Sequence, residues 1–451
     1  MAFLTRPAHG LRLRRAMAVL VCAAACAAIA PPAAGAASGK AIIEASGVRG
    51  GLVVHLGCGD GQGTAALRAG DAYIVQGLAT NAADVAKARA AIHARGLAGP
   101  VSVDRFDGTH LPYVDNLVNL LVTDGLGSVP MAEVLRVLAP GGVAMVGGAK
   151  TVKPVPEAID EWTHFFHGPD NNALARDTVV GPPRHMQWLA GPTWTRDHHA
   201  DKGSYPGVRA VVSATGRLFY MLDETPTSDM TVPSCWSLVA RDGYSGVLLW
   251  KKPLGFTEFD RRLEDVWRTL VADGDRVYAS LGEGRPLSAL DAATGDVARD
   301  YPGTAGFLEM IKDGPALFLV GAGGDVLAFD VDTGRRLWQW APAKDDPIVP
   351  LTLAAAAGKV FAKTDLAAWC FSAADGRMLW RRPLPQAKKA IRLKWPRERL
   401  IVSDGVVLVS FDGTDPTVLN KDTYEYLGSH PQVHAYGGRL AALSADDGRE
   451  L

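Results

Sequence analysis

A fivefold repeat in the C-terminal half most constrains what this chain can fold into. One copy runs through Ala240, Asp242, Gly246 and Trp250, and it recurs with the same spacing over Ala328–Trp338. Three further copies keep a small first residue and the glycine, so that the five repeat glycines are separated by 49, 39, 42 and 72 residues. These glycines are Gly246, Gly295, Gly334, Gly376 and Gly448. Such self-similarity is typical of proteins built from stacked structural repeats.

Each copy follows a run with period-2 hydrophobicity, so each unit reads as short strands joined by turns. The aspartate can bind backbone N–H groups of its turn, and the glycine supplies a positive φ. The tryptophan can then pack between neighbouring sheets. Units of about 40 residues with four strands are propeller blades. Residues 211–451 are therefore predicted to form an all-β propeller of five blades, incomplete because the fifth copy reaches Leu451 before its tryptophan position.

Residues 41–150 follow a different pattern. The apolar run Leu52–Leu56 is followed by the glycine-rich Gly57–Gly63, and strands then alternate with helices as far as Val146. Alternation of this kind indicates a parallel sheet with helices on both faces. The predicted fold class is thus an α/β Rossmann-like domain followed by the propeller.

This α/β region resembles the class I S-adenosylmethionine-dependent methyltransferases. The resemblance is carried by VVHLGCGDGQGT at the first loop, DRFDGTHLPYVDN before the fourth strand and MAEVLRVLAPGGVAMV at the fifth. It implies that the glycine loop holds the cofactor and that an acid after the third strand contacts the adenine. The positions carried over are Gly57, Gly59, Asp60, Gly61 and Asp107.

Three positions depart from that family's pattern. His55 stands in place of an acid before the first loop, and Ala79 stands where an acid grips the ribose hydroxyls. Asn119 replaces an acid of the fourth strand. A methyl group cannot accept the ribose hydrogen bonds, so we expect a degenerate cofactor site. The sequence assigns no catalytic residue, and it leaves S-adenosylmethionine open as a cofactor.

The repeats resemble the tryptophan-docking repeats of PQQ-binding-like β-propellers, the quinoprotein alcohol dehydrogenase-like superfamily. Its quinone-dependent members carry adjacent cysteines, a calcium site and a catalytic aspartate, but this sequence has neither adjacent cysteines nor a CxxCH haem motif. The resemblance therefore does not favour bound PQQ. Relatives without that site act as binding scaffolds, for example in outer-membrane assembly. The combination of domains resembles large exported proteins of planctomycete-type bacteria.

The N-terminus predicts export. Arginines precede the apolar run Ala16–Ala30, and the small residues Ala34–Ala36 follow it, so residues 1–37 read as a cleavable signal peptide. We expect a periplasmic or extracellular protein with no membrane span after signal removal. A net charge of -1 provides no basic footprint for nucleic acid.

Residues 151–210 form a histidine-rich connector. His164 and His167 could share a helix face, and together with His198 and His199 they are weak candidates for metal ligands. The alternative is that they bind backbone groups at the junction of the two domains, because no fixed metal-ligand spacing is present. Gly181–Trp194 is predicted to be a strand leading into the propeller.

Three functions follow from these patterns. The first is an exported binding or scaffold protein, in which a propeller face recognises a protein or glycan partner. The alternatives are an S-adenosylmethionine-dependent methyltransferase and a PQQ-dependent oxidoreductase. The sequence does not identify the ligand, the substrate or the oligomeric state.

Overall fold

The chain is described here from a computed structural model. The described residues are 39–182, 185–191, 198–200, 203–205, 207–226, 232–256, 268–385, 399–411 and 439–451. All of them belong to one compact unit, Ser38–Leu451. The predicted signal peptide lies outside the described residues. Within the described ranges, no helix combines the length and the apolar character needed to cross a membrane.

A six-stranded sheet forms the N-terminal domain and confirms the predicted Rossmann-like fold. Its order is β3-β2-β1-β4-β5-β6, with the first five strands parallel and β6 antiparallel to β5. The strands are β1 (Gly51–Leu56), β2 (Tyr73–Ala79), β3 (Val101–Arg105), β4 (Val118–Thr123), β5 (Leu138–Val146) and β6 (Ala149–Val152). The helices are α1 (Gly39–Ser46), α2 (Gln62–Ala66), α3 (Ala82–Ala94) and α4 (Met131–Val137).

Successive side chains of a strand point to opposite faces of the sheet, and both faces of the central strands are buried. Val53 and Leu120 pack in the core under α3, whereas their neighbours Val54 and Leu121 pack in the core that includes α4. All four side chains have no exposed surface. The strand order reverses between β1 and β4, and in folds of this class ligands bind at the carboxyl ends of the strands beside such a reversal.

Antiparallel sheets follow and confirm the predicted blades. Among the described residues, four sheets have four strands each and a fifth has three, with the strands pairing in chain order. The blades are β9 (Val208–Ala214), β10 (Arg217–Asp223), β11 (Trp236–Asp242) and β12 (Leu248–Pro253); β13 (Leu270–Asp273), β14 (Arg276–Ser280), β15 (Leu287–Asp291) and β16 (Val297–Tyr301); β17 (Glu309–Asp313), β18 (Ala316–Val320), β19 (Val326–Asp330) and β20 (Arg336–Trp340); β21 (Ala354–Ala356), β22 (Lys359–Lys363), β23 (Ala367–Ser372) and β24 (Met378–Pro383); and β25 (Leu400–Ser403), β26 (Val406–Phe411) and β27 (Arg439–Ser444). A short hairpin of β7 (His198–Ala200) and β8 (Gly203–Tyr205) precedes them. The first strands of successive blades contact one another and so line the propeller axis.

Three repeat tryptophans join consecutive blades in the same way. Each donates its indole N–H to a carbonyl three residues before the repeat glycine of the next blade. These pairs are Trp250–Ala292 at 2.9 Å, Trp338–Ala373 at 2.9 Å and Trp380–Ala445 at 3.1 Å. A methyl group at Gly376 would lie 2.6 Å from the Trp338 ring, so the contact requires glycine.

The first blade receives its tryptophan from the connector. Trp188 donates its indole N–H to the carbonyl of Gly243 at 3.0 Å and lies against Gly246, in the geometry of the other docking tryptophans. The structure assigns no strand to residues 185–191, so the strand predicted for Gly181–Trp194 is wrong over the described part of that range. Side-chain hydrogen bonds to backbone carbonyls hold this segment in place of a strand ladder.

Arg299 occupies the tryptophan position of the second blade and makes a smaller contact. Its Cδ lies 3.1 Å from the Cβ position of Gly334, and its Nη1 donates to the carbonyl of Thr333 at 3.0 Å. We expect Arg299→Trp to raise the free energy of unfolding by about 1 kcal/mol, because an indole buries more apolar surface and keeps an N–H donor. Chemical unfolding followed by circular dichroism measures the change. Arg299→Lys should show no gain, and an unchanged midpoint for Arg299→Trp would contradict the prediction.

The amino end of the α/β sheet contacts the repeat turns of the first two blades. Asn119, at the start of β4, accepts the N–H of Leu52 at 2.8 Å and donates to Oδ2 of Asp242 at 2.7 Å. Arg49 pairs with Oδ2 of Asp291 at 3.2 Å. In both aspartates Oδ1 accepts N–H groups of its own turn, and Oδ2 binds the α/β domain. The carboxyl end of the sheet therefore lies at the opposite end of the strands from this interface.

Candidate functional site

The glycine loop follows β1 at the carboxyl end of the sheet. Gly57, Gly59 and Gly61 have φ angles of 76°, 52° and 79°, which favour glycine. A methyl group at Gly61 would lie 2.8 Å from Ala88, whereas one at Gly57 would meet nothing within 4 Å. Gly61 thus lets the loop pack against α3, and open space lies in front of Gly57. The loop has the shape that the methyltransferase resemblance implies.

Asp60 of this loop binds its neighbour. Its Oδ1 accepts the backbone N–H of Gln62, and its Oδ2 accepts the side-chain amide of Gln62, both at 3.0 Å. The backbone bond is the main cause that holds the pKa of Asp60 below its usual value. The carboxylate is therefore charged at neutral pH and stabilises the turn into α2.

Asp107 is bound within its own turn in the same manner. Its Oδ1 accepts the N–H groups of His110 and Thr109, both at 2.7 Å, and its Oδ2 lies 3.1 Å from Nδ1 of His110. The backbone bonds, that of His110 first, hold the pKa of Asp107 far below its usual range. The residue stands just after β3, where the resemblance expects an acid, but its hydrogen bonds serve the loop.

His55 lies in β1 and packs against α2, the helix that follows the glycine loop. Its Nδ1 lies 2.8 Å from Oγ1 of Thr64, and its ring packs 3.2 Å from the Cβ position of Gly63. Burial lowers the pKa of His55, so the ring is neutral at pH 7. A neutral imidazole replaces the charge that the family's acid would supply here.

Ala79 ends β2 and offers no acceptor for a ribose. Its side chain is 4% exposed, and its partner in the sheet is Arg105. The nearby Asn81 caps α3 by accepting the N–H of Asp84 at 2.8 Å. Ribose hydroxyls without an acceptor would cost about 1–3 kcal/mol each. The end of β2 therefore does not fit the ribose of S-adenosylmethionine.

Asn119 lies outside this site. It was predicted to weaken cofactor binding, but the structure places it at the amino end of β4, where it binds Asp242 of the propeller. The prediction was wrong because only residues at the carboxyl ends of parallel strands reach the ligand edge. The identity of Asn119 bears instead on how the two domains hold together.

The connector histidines lie in a tight reversal of the chain. His164 and His167 pair through an antiparallel bridge, and His167 has a φ of 71°, so the predicted shared helix face is wrong. Nε2 of His167 lies 2.7 Å from Oδ2 of Asp160. Among the described residues, no group of three or more His, Cys, Asp or Glu side chains is placed to hold a metal ion. The side chains of His198 and His199 lie outside the described residues.

The connector also binds the first strands of the five described blades, and His164 there accepts a backbone N–H, as the alternative to a metal site expected. The next-to-last residue of each blade's first strand donates its backbone N–H to a connector acceptor. The pairs are Ser213 to Trp162 O at 2.7 Å, Ala272 to Thr163 O at 3.0 Å, Lys312 to His164 Nε2 at 3.0 Å, Ala355 to Pro169 O at 2.8 Å and Val402 to Asp170 O at 2.9 Å. We call these five donors the mouth of the propeller. The first strand of each blade is an edge of its sheet, so its outward N–H groups have no neighbouring strand to bind. The connector supplies acceptors for these groups.

Aromatic and carboxamide side chains of the connector add contacts beside the mouth. Two guanidinium groups lie over the ring of Phe166, that of Arg268 at 5.0 Å and that of Arg399 at 5.2 Å from its centroid. Asn171 donates to the carbonyls of Leu353 at 2.8 Å and Leu400 at 3.0 Å, and so bridges the fourth and fifth blades. A guanidinium group over an aromatic ring makes an attractive cation–π interaction, and this interaction is stronger when the cation is desolvated.

A buried ion pair supports this end of the propeller. Arg268 pairs with Glu309, and their side chains are 4% and 1% exposed. Glu309 also accepts the backbone N–H groups of Leu351 at 2.9 Å and Leu353 at 3.1 Å. The carboxylate thus joins the second, third and fourth blades.

His164 is expected to make the stability of the fold depend on pH. Burial lowers the pKa of His164 to about 3, from 6.5 in the unfolded chain. Below pH 6.5 the unfolded chain binds a proton at this histidine and the folded chain does not. The free energy of unfolding should therefore fall by up to about 1.4 kcal/mol per pH unit as the pH drops towards 3. Urea unfolding between pH 7.5 and 4.5 measures this slope. His164→Gln should flatten it, whereas the exposed His93→Gln should not. Equal slopes in all three proteins would contradict the prediction.

The architecture defines a class: a methyltransferase-like Rossmann domain fused to a PQQ-like β-propeller. A family model described as outer membrane protein assembly factor BamB matches residues 193–340, 287–423 and 322–451, and a methyltransferase domain model matches residues 54–146. Because the first set of matches spans more than half of the chain, the chain belongs to the family described as outer membrane protein assembly factor BamB.

Solved structures resemble the two parts separately. BamB from Moraxella catarrhalis is 14% identical, with 57% of this chain and 71% of that chain covered and a TM-score of 0.34. A putative S-adenosyl-L-methionine-dependent methyltransferase from Methanococcus maripaludis is 21% identical, with 24% and 52% covered and a TM-score of 0.22. A quinohemoprotein alcohol dehydrogenase from Pseudomonas putida is 15% identical, with 44% and 34% covered and a TM-score of 0.28. The chain thus spans about half of the methyltransferase structure. No curated protein matches it.

Proposed function

We propose that this protein is an exported binding scaffold, in which the propeller recognises a protein or glycan partner and the α/β domain does not use S-adenosylmethionine. One observation carries the proposal: the polar groups of the resembled cofactor site bind neighbours within this chain. Asp60, Asp107 and His55 all make local hydrogen bonds, and Ala79 offers no acceptor.

Two of the three thiols in the described part of the chain do not favour catalysis by cysteine, and the third, Cys235, is exposed. Cys58 and Cys370 are buried, and burial raises the pKa of each, that of Cys370 to about 12. A thiol with a raised pKa supplies little of the thiolate that acts as nucleophile. Membership of a family described by an assembly factor is consistent with the scaffold proposal.

Calorimetric titration with S-adenosylmethionine tests the proposal on the α/β domain. We expect no heat of binding up to about millimolar ligand, the range in which binding free energy falls to about 4 kcal/mol. Ala79→Asp, which restores a carboxylate at the ribose position, serves as the matched variant and should bind more tightly than the unmodified protein. Micromolar binding by the unmodified protein would overturn the proposal.

The methyltransferase alternative is favoured by one observation, the open space in front of Gly57. The same titration distinguishes the two functions, because a working cofactor site must bind S-adenosylmethionine without the Ala79→Asp change. A glycine loop that serves packing alone would give no heat.

Export is tested by fractionation. The full chain, with residues 1–37 intact and a tag at its C-terminus, is produced in a Gram-negative host. We expect a shortened protein in the periplasmic fraction, since a signal peptide is removed on export. A full-length product that stays in the cytoplasm would contradict the proposed localisation.

A further inference from the structure

We infer that the mouth of the propeller is a binding site for a peptide segment that reverses direction, and that the connector occupies it as a partner's segment would. The inference rests on the proposed scaffold function and names the kind of partner: an unstructured segment that presents carbonyl acceptors, an aromatic ring and a carboxamide. The five donors of the mouth and the acceptors of residues 162–170 carry it.

The donors of the mouth are backbone groups at equivalent positions of five separate sheets. Rigid strands therefore set their spacing, whereas the acceptors come from one short segment. Four of those acceptors are backbone carbonyls, which a peptide of any sequence offers. Recognition through main-chain hydrogen bonds, with affinity from the backbone and specificity from pockets, is a recurring way of binding peptides at strand edges.

Side chains of the connector supply the specificity. Phe166 contacts the guanidinium groups of Arg268 and Arg399, and Asn171, five residues later, donates to carbonyls of the fourth and fifth blades. Of the five connector acceptors that bind the mouth, only His164 uses a side-chain atom, and it accepts the N–H of Lys312. A partner segment should therefore combine an aromatic residue with a carboxamide about five positions downstream.

The connector has little regular secondary structure along the mouth, and it meets each blade there through one backbone hydrogen bond rather than through a strand ladder. Apart from the bridge between His164 and His167, residues 160–172 belong to no helix or strand. Leu174, just beyond them, is 66% exposed. Segments of this kind open at a lower free-energy cost than sheets do. Its covalent link nevertheless gives the connector a high effective concentration, so a free peptide should bind only when the connector's own contacts are weakened.

A peptide-binding experiment on the full chain tests the inference. The probe is a fluorescein-labelled synthetic peptide of residues 160–172, followed by fluorescence anisotropy. The unmodified protein should show no binding at about 100 μM peptide. The double variant Phe166→Ala/Asn171→Ala should bind with a dissociation constant at least about 10-fold below that concentration. That variant weakens the connector and leaves the five donors intact. Leu174→Ser, an exposed change in the same segment, should behave as the unmodified protein does.

A second peptide tests whether binding depends on the side chains at positions 166 and 171, and a single variant is used if the double variant does not fold. A probe carrying alanine at positions 166 and 171 should bind the double variant at least about 10-fold more weakly. Equal binding of both probes, equal binding by all proteins, or no binding by a double variant with an unchanged circular dichroism spectrum would overturn the inference. If the double variant does not fold, Asn171→Ala alone is used, and its failure to bind would have the same meaning. Neither result alters the calorimetric or fractionation tests, so failure here is distinguishable from failure of the scaffold proposal.

Discussion

Gly376→Ala is expected to lower the free energy of unfolding by about 4 kcal/mol. The added methyl group would lie 2.6 Å from the Trp338 ring, which is 8% exposed, and so would displace a large buried side chain. A φ of 70° adds strain for any residue with a Cβ. Urea unfolding followed by tryptophan fluorescence and circular dichroism measures the loss.

Gly358→Ala separates the two causes. Gly358 belongs to the same blade and has a φ of 73°, but a methyl group there would meet nothing within 4 Å. Its substitution should cost only the backbone strain, about 1–2 kcal/mol. The difference between the two variants then measures the docking contact of the tryptophan. Equal losses would mean that docking contributes nothing.

Glu309→Ala is expected to cost about 3–5 kcal/mol, the usual loss when one partner of a buried ion pair is removed. The change takes the carboxylate from Arg268 and leaves the N–H groups of Leu351 and Leu353 without their acceptor. Thermal and urea unfolding of the full chain give the size of the loss.

Glu309→Gln is the informative companion of that variant. Its amide oxygen can still accept an N–H group, so the loss should be smaller than for alanine. Glu283→Ala, an exposed residue, should change stability by no more than about 0.5 kcal/mol. A Glu309→Ala protein as stable as Glu283→Ala would show that the buried pair does not hold the blades together.

The blades could be predicted because their information is local. Asp242 and Gly246 act within one turn, and the tryptophan that follows acts on the next unit, so the spacing recurs with each blade. Trp188 was missed for the same reason: it docks like the others but has no strand and no turn motif of its own in front of it. Only the folded chain brings it to Gly246.

In the α/β domain, too, local patterns could be predicted from the sequence and contacts with the other domain could not. The alternation of strands and helices follows from the hydrophobic pattern, and the glycine loop follows from residues that tolerate positive φ; both agree with the structure. The role of Asn119 did not follow, because the sequence does not say which end of a strand will meet another domain. Its partner Asp242 is more than a hundred positions away.

The sequence by itself determined the two folds, since hydrophobic period, turn residues and repeat spacing act over a few positions each. The tertiary structure alone decided where the connector lies. Its five bonds join residues from Trp162 to Asp170 with donors spread from Ser213 to Val402, and no local pattern encodes a partner that is distant in the chain. Edge N–H groups at the axis require acceptors, and the folded propeller is what places them within reach of one short segment.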